Sequence, residues 1–136
     1  MKLRAFGLGL ALSAAVLSTG CGGESPTATT ATIAIRHSHF TLTSVSVPSG
    51  QPVTFTLRND DPIEHEWIVG AAEVHSRHRT GSEPSHDAVP TEVTIPAFRA
   101  KTTTITFDRP SDYVFIYHLP NHEKYGMQGV MHVVTS

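Results

Sequence analysis

Residues 113–130 read YVFIYHLPNHEKYGMQGV, and this stretch decides the fold. The aromatic residues Tyr113, Phe115 and Tyr117 alternate with other side chains, which is typical of a half-buried β-strand. Pro120 ends the strand because it has no N–H to donate to a neighbouring strand. The stretch therefore predicts a strand, a loop and the beginning of a further strand.

The loop within this stretch carries a pair of candidate metal ligands. His122 offers an imidazole and Met127 offers a thioether, five residues apart. Gly126 and Gly129 permit tight backbone conformations around them. Copper is the metal that suits both donor types, so the loop predicts one half of a copper site.

The same stretch resembles the ligand loop of the cupredoxins, the blue-copper proteins. Their pattern there is aromatic-x-aromatic-x-Cys, then Pro and His, then Gly-Met-x-Gly, and the spacing is most similar to the rusticyanin and auracyanin branch. The resemblance implies that His122 is the C-terminal His ligand and Met127 the axial ligand. Tyr117 falls on the Cys position. A blue site needs a thiolate in its trigonal plane, and Tyr117 cannot supply one.

A second segment carries the resemblance further. Residues 48–55 read PSGQPVTF, followed by Asn59 and His65. Cupredoxins use such a segment to bring their N-terminal His ligand beside the C-terminal loop. The resemblance therefore implies that His65 completes a ligand set with His122 and Met127.

The rest of the chain from residue 32 to 136 predicts a single domain of short strands. Val53, Phe55 and Leu57 alternate with polar residues, and Ile33 and Ile35 do the same nearer the N-terminus. Regular turns and almost no helical periodicity predict an all-β, Greek-key β-sandwich of seven or eight strands, which is the fold the cupredoxin resemblance implies.

The N-terminal 31 residues predict export and a lipid anchor. Residues 1–20 form a secretory signal, with two basic residues, an apolar run and a small-residue end. Cys21, the only cysteine in the sequence, follows Ser-Thr-Gly and is the predicted lipidation site. Residues 21–31 are too poor in apolar side chains to fold and form a tether. We therefore expect a lipoprotein of the bacterial cell envelope, held on the membrane with its domain outside the cytoplasm.

Charge and motif content argue against two other classes of protein. Without its signal, the chain keeps eight basic against twelve acidic residues, which gives no electrostatic case for nucleic-acid binding. A cluster of acidic residues surrounds His65, and we interpret it as a solvated loop rather than catalytic carboxylates: Asp60, Asp61, Glu64 and Glu66. No Ser/His/Asp or paired-carboxylate arrangement predicts an enzyme, which leaves oxidative chemistry at a copper site without thiolate as the one enzymatic alternative.

Residues 70–90 form an insertion that contains His75, His78 and His86. Their Pro, Gly and Ser neighbours predict a loop with at most one short helical turn. His75 and His78 would share one face of such a turn, as in metal sites, so a weak second site competes with a solvated polar loop. His118 should point to the sheet face opposite Tyr117, and it becomes a replacement ligand only if the strand end twists.

Three functions are compatible with His65, His122 and Met127 in the absence of a thiolate. The first is a copper-binding protein, with Tyr117 or water as a fourth ligand, that holds or passes copper to a handling partner at the cell surface. The second is an electron carrier with a redox partner, as the resemblance implies. The third is a metal-free binding module in which Tyr117 fills the former metal cavity.

Overall fold

The computed structural model describes residues 27–80, 89–118 and 124–136. Within these residues the chain forms nine strands and one helix. In chain order they are β1 (Thr30–Arg36), β2 (His39–Phe40), β3 (Ser44–Pro48), β4 (Pro52–Asn59), β5 (His65–Gly70), α1 (Ala72–Thr80), β6 (Glu92–Ile95), β7 (Ala100–Thr106), β8 (Ser111–Ile116) and β9 (Gln128–Val134).

The strands form two sheets, with the orders β2-β1-β4-β7 and β3-β9-β8-β5-β6. The β1–β4 and β3–β9 pairs are parallel, and the other pairs are antiparallel. The predicted all-β sandwich is thus confirmed.

The core consists of the inward residues of both sheets, as the alternating pattern predicts. Ile33, Ile35, Val53, Phe55 and Leu57 are all at most 1% exposed. The indole of Trp67 on β5 packs against the Phe55 ring of the other sheet and the Phe115 ring of β8, with ring centroids 5.3 and 6.1 Å apart. Aromatic contacts across the sandwich therefore fix how the two sheets pack.

The predicted number of strands, seven or eight, is corrected to nine. The chain after Arg36 forms two strands, β2 and β3, because it passes from the first sheet to the second between them. The Thr41 N–H donates to the Ala34 carbonyl of the first sheet, whereas the Thr43 carbonyl accepts from Val130 of the second.

The prediction for residues 70–90 also needs correction. The insertion contains the nine-residue helix α1, which is longer than the short turn that we expected. Its side chains are mostly polar, so the sequence carries little of the apolar periodicity that marks a helix. Among the described residues, no helix is long and apolar enough to cross a membrane.

Candidate metal centre

Tyr117 lies directly after β8 and contacts the predicted ligands on both sides. It is 4% exposed, and its backbone N–H donates to the Met127 carbonyl over 3.1 Å. Its ring meets the His65 ring edge-on, with centroids 5.2 Å apart and an interplanar angle of 83°. Tyr117 thus links His65, through its ring, to Met127, through its backbone.

The phenol of Tyr117 is held in its neutral form. Burial raises its pKa to about 12, and the charges of Glu66 and Glu64 add to this rise. The hydroxyl donates to the Glu64 carbonyl over 3.4 Å. An anionic oxygen donor at position 117 is therefore disfavoured in the metal-free protein.

His65 begins β5 and is fully buried. Its Nε2 lies 2.9 Å from Oδ2 of Asp61. The carboxylate accepts this hydrogen bond, so a metal ion would have to bind His65 through Nδ1. A carboxylate behind the distal nitrogen is the usual support of a metal-ligating histidine.

The sequence analysis assigned Asp61 wrongly to a solvated loop. Asp61 is only 6% exposed. Burial alone would raise the pKa of its carboxyl, but hydrogen bonds from the Ser38 and His37 N–H groups and from His65 outweigh burial and lower that pKa. The i, i+4 spacing of Asp61 and His65 is the one sequence signal that links them.

Met127 is fully buried and belongs to the hydrophobic core. It follows Gly126, whose φ of +101° suits glycine and lets the chain turn into β9. The structure thus brings the predicted ligands His65 and Met127 to the two sides of Tyr117. The other predicted ligand, His122, lies outside the described residues, as do His86 of the weak second site and the lipidation residue Cys21.

His118 points to the opposite sheet face, as predicted, and contacts the helix. Its Nε2 lies 2.9 Å from Nδ1 of His75, and its ring stacks on His78 with centroids 5.5 Å apart. These contacts direct His118 to α1 and argue against its use as a replacement ligand beside His65.

His75 and His78 share one helix face, as their spacing predicts, but they do not lie in a solvated loop. His75 is 2% exposed, and its Nε2 contacts the carbonyls of Val114 at 2.9 Å and Gly70 at 3.2 Å. Burial lowers the pKa of His75. Two carbonyl partners require a hydrogen on Nε2, so the neutral ring accepts through Nδ1.

His75, His78 and His118 form a histidine cluster that joins α1 to the sheet. The Nε2 of His78 lies 3.7 Å from Glu92 on β6, which adds a further link to the sheet. Throughout the described part of the chain, no group of three or more His, Cys, Asp or Glu side chains is arranged to hold a metal ion. The weak second site with His86 stays a prediction.

The fold is similar to that of several solved auracyanin structures. A dithionite-reduced auracyanin from the photosynthetic bacterium Roseiflexus castenholzii matches with a TM-score of 0.68 and 26% identity, covering 80% of this chain and 99% of that one. The fold is cupredoxin-like. Auracyanin B matches with a TM-score of 0.61 and 21% identity, over 82% of this chain and 93% of its own.

Auracyanin A from Chloroflexus aurantiacus, described as a "blue" copper protein, matches with a TM-score of 0.59 and 23% identity. The match covers 77% of this chain and 98% of that one. No family model and no curated protein matches the sequence. The likeness to auracyanins agrees with the branch that residues 113–130 resemble.

The donors around Tyr117 fit copper in its reduced state. Imidazole and thioether are borderline and soft donors, which suit Cu(I). The neutral phenol at position 117 does not replace a thiolate, so the same donors do not fit a blue Cu(II) site.

Proposed function

We propose that this chain is a cupredoxin-like copper-binding protein that holds one copper ion through His65, His122 and Met127 without a thiolate. It would hold or hand on copper at the cell surface, and it would not be an enzyme. Bound copper would supply a soft cation that can be passed to a copper-handling partner.

One observation carries this proposal: Tyr117 packs its ring against His65 and donates its backbone N–H to the Met127 carbonyl. All three residues are buried. These contacts support a site in which His65 and Met127 flank position 117. Asp61 behind His65 supports the same interpretation, because second-shell carboxylates orient ligating imidazoles.

The oxidation state follows from the donor types. Two imidazoles and a thioether bear no negative charge. Such a set favours Cu(I) over Cu(II). Holding or delivering Cu(I) is thus better supported than electron transfer, which in blue sites uses the copper–thiolate bond.

We further propose that Cys21 is lipidated and that residues 21–31 tether the domain to the membrane of the cell envelope. This proposal rests on the sequence of the apolar run and of the Gly-Cys pair that follows it.

A Cu(I) titration tests the metal-binding proposal. The domain from Gly22 onward would be titrated under reducing conditions in competition with a chromogenic Cu(I) chelator. We expect one copper per chain, with affinity falling at least tenfold in His122→Ala and in Met127→Leu. His132→Ala is the matched control, because His132 lies on β9 with an exposed side chain bonded to Asp112.

Each contrary result has a distinct meaning. A domain that takes up no copper would support a metal-free binding module built on this scaffold. Copper uptake that is equal in all three variants would place the ion elsewhere. Reversible cycling between Cu(I) and Cu(II) at unchanged ligation would favour the electron carrier.

A further inference from the structure

Asp61 ties His65 to a distant turn of the chain. Its Oδ1 accepts from the His37 N–H at 2.6 Å, and its Oδ2 accepts from the Ser38 N–H at 2.8 Å and from His65 at 2.9 Å. His37 and Ser38 form the two-residue turn between β1 and β2, in which Arg36 pairs with His39. One buried carboxylate thus receives three hydrogen bonds from two separate segments.

The turn itself needs this acceptor. His37 and Ser38 have φ values of 53° and 56°, which is the left-handed conformation that a two-residue hairpin requires. Neither residue is glycine, so the conformation is costly unless neighbouring groups stabilise it. The Asp61 carboxylate does so by accepting from both N–H groups.

The backbone of Asp61 is fixed as well. Its N–H donates to Oδ1 of Asn59 over 2.9 Å, and its carbonyl accepts from Phe98 over 3.2 Å. Asn59 is 1% exposed, and its amide nitrogen donates to carbonyls on both sides of the same loop cluster: Ile63, Ile95 and Pro96. Every polar atom of Asp61 is therefore engaged, and its carboxylate cannot turn away from His65 without loss of several hydrogen bonds.

This arrangement determines which nitrogen of His65 carries hydrogen. An ionised carboxylate can only accept, so the contact at Nε2 requires an Nε2–H group. In the neutral ring, Nδ1 then holds the lone pair. That is the nitrogen through which His65 would bind copper.

Charge gives Asp61 a second role. His65, His122 and Met127 are neutral donors, whereas a cupredoxin site with a thiolate carries one negative charge among its ligands. A buried carboxylate one hydrogen bond behind His65 supplies a negative charge close to the cation. In a buried region such a charge acts strongly, because little solvent screens it.

We propose that Asp61 is the positioning residue of the centre: it fixes His65 in the Nε2–H tautomer and supplies the anion that the ligand set lacks. The charge role rests on the proposed copper site, whereas the tautomer role concerns the protein without metal.

The first experiment measures the tautomer in the metal-free protein. ¹⁵N NMR of histidine-labelled protein at pH 8, above the usual pKa range of imidazole, reports the hydrogen on each ring nitrogen. We expect His65 to carry hydrogen on Nε2 and none on Nδ1. A hydrogen on Nδ1 would overturn the proposal, whether or not the protein binds copper.

The second experiment compares Cu(I) affinity in Asp61→Asn and Asp60→Asn. Both variants remove one carboxylate charge at adjacent positions, but Asp60 pairs with Arg36 and Arg58 near the surface. We expect the affinity of Asp61→Asn to fall 10- to 100-fold and that of Asp60→Asn to stay within about twofold, because surface charges are screened.

Equal Cu(I) affinity in a folded Asp61→Asn protein and in Asp60→Asn would overturn the charge role. If Asp61→Asn fails to fold, the tautomer of the unaltered protein still decides the positioning role. If the unaltered protein binds no copper, the proposed function fails, and the tautomer measurement alone reports on Asp61.

Discussion

Among single residues, Tyr117 is central to the proposed centre, because its buried ring packs against His65 and its backbone N–H donates to the Met127 carbonyl. Its hydroxyl donates to the Glu64 carbonyl. The buried ring therefore contributes to the packing of this end of the sandwich.

The substitution Tyr117→Cys should restore a blue-copper ligand set. The new thiolate would stand between His65 and Met127, and the Cu(II)-loaded variant should turn blue or green. Visible absorption spectroscopy checks this, and the unaltered domain from Gly22 onward should lack an intense band. Loss of the buried ring should also lower the free energy of unfolding of the metal-free protein by about 2–4 kcal/mol.

The matched control is Tyr125→Cys. Tyr125 belongs to the same loop region but is 65% exposed, so a thiol there should produce neither the band nor a comparable loss of stability. A folded Tyr117→Cys domain that takes up no copper would mean that the loop no longer has ligand geometry.

Strand alternation correctly predicts that Tyr117 points into the core, whereas the ligand roles of His65 and Met127 stay predictions. The sequence fails at Asp61 because the burial of this carboxylate depends on the turn at His37 and Ser38, more than twenty residues earlier. A local pattern of charged residues near a proline predicts a solvated loop. Only the tertiary structure reveals the hydrogen-bond partners of Asp61.

At the level of secondary-structure elements, α1 depends on the histidine cluster more than on its own sequence. His75 is the residue of this helix that is buried, and its hydrogen bonds to Gly70, Val114 and His118 connect the helix to β5 and β8. The sequence gives no apolar stripe to predict the helix, since polar hydrogen bonds take the place of hydrophobic packing.

Stability should depend on pH through His75. Its pKa is lowered in the folded protein. Below about pH 6.5, His75 therefore binds a proton in the unfolded chain but not in the folded chain. The free energy of unfolding should therefore fall as the pH drops from about 7 towards 5. Urea denaturation at several pH values measures this, and His75→Gln should weaken the dependence.

The pH dependence due to His75 can be distinguished from that of two other groups, His132 and Asp61. His132→Gln removes an exposed imidazole and should leave the dependence as it is. Asp61 has a lowered pKa, so its contribution is present above its usual pKa of 3.8 and is lost only at more acidic pH. A stability that stays constant between pH 7 and 5 in the unaltered protein would contradict the role of His75.

The pair of strands β8 and β9 packs tightly at Gly129. A Cβ atom added there would clash with the ring of Phe115, which faces it across the pair. We expect Gly129→Ala to lower the free energy of unfolding by about 1–3 kcal/mol because the ring must move. Gln128→Ala, at an exposed position on the same strand, should change it by less than about 0.5 kcal/mol in the same denaturation assay.

At the scale of the whole molecule, the predicted lipid anchor would hold the domain at the membrane. If Cys21 is lipidated, Cys21→Ala should move the protein from the membrane fraction to the soluble fraction of the cell. Fractionation and immunoblotting measure the change, and Ser18→Ala serves as a control close to the same site. An unchanged membrane fraction in Cys21→Ala would require a different anchor.

X-ray absorption spectroscopy of the Cu(I)-loaded domain from Gly22 onward tests the ligand set directly. Ligation by His65, His122 and Met127 predicts two imidazoles and one sulfur around copper, with the sulfur lost in Met127→Leu. A copper environment of nitrogen and oxygen alone in the unaltered domain, or no bound copper, would contradict it.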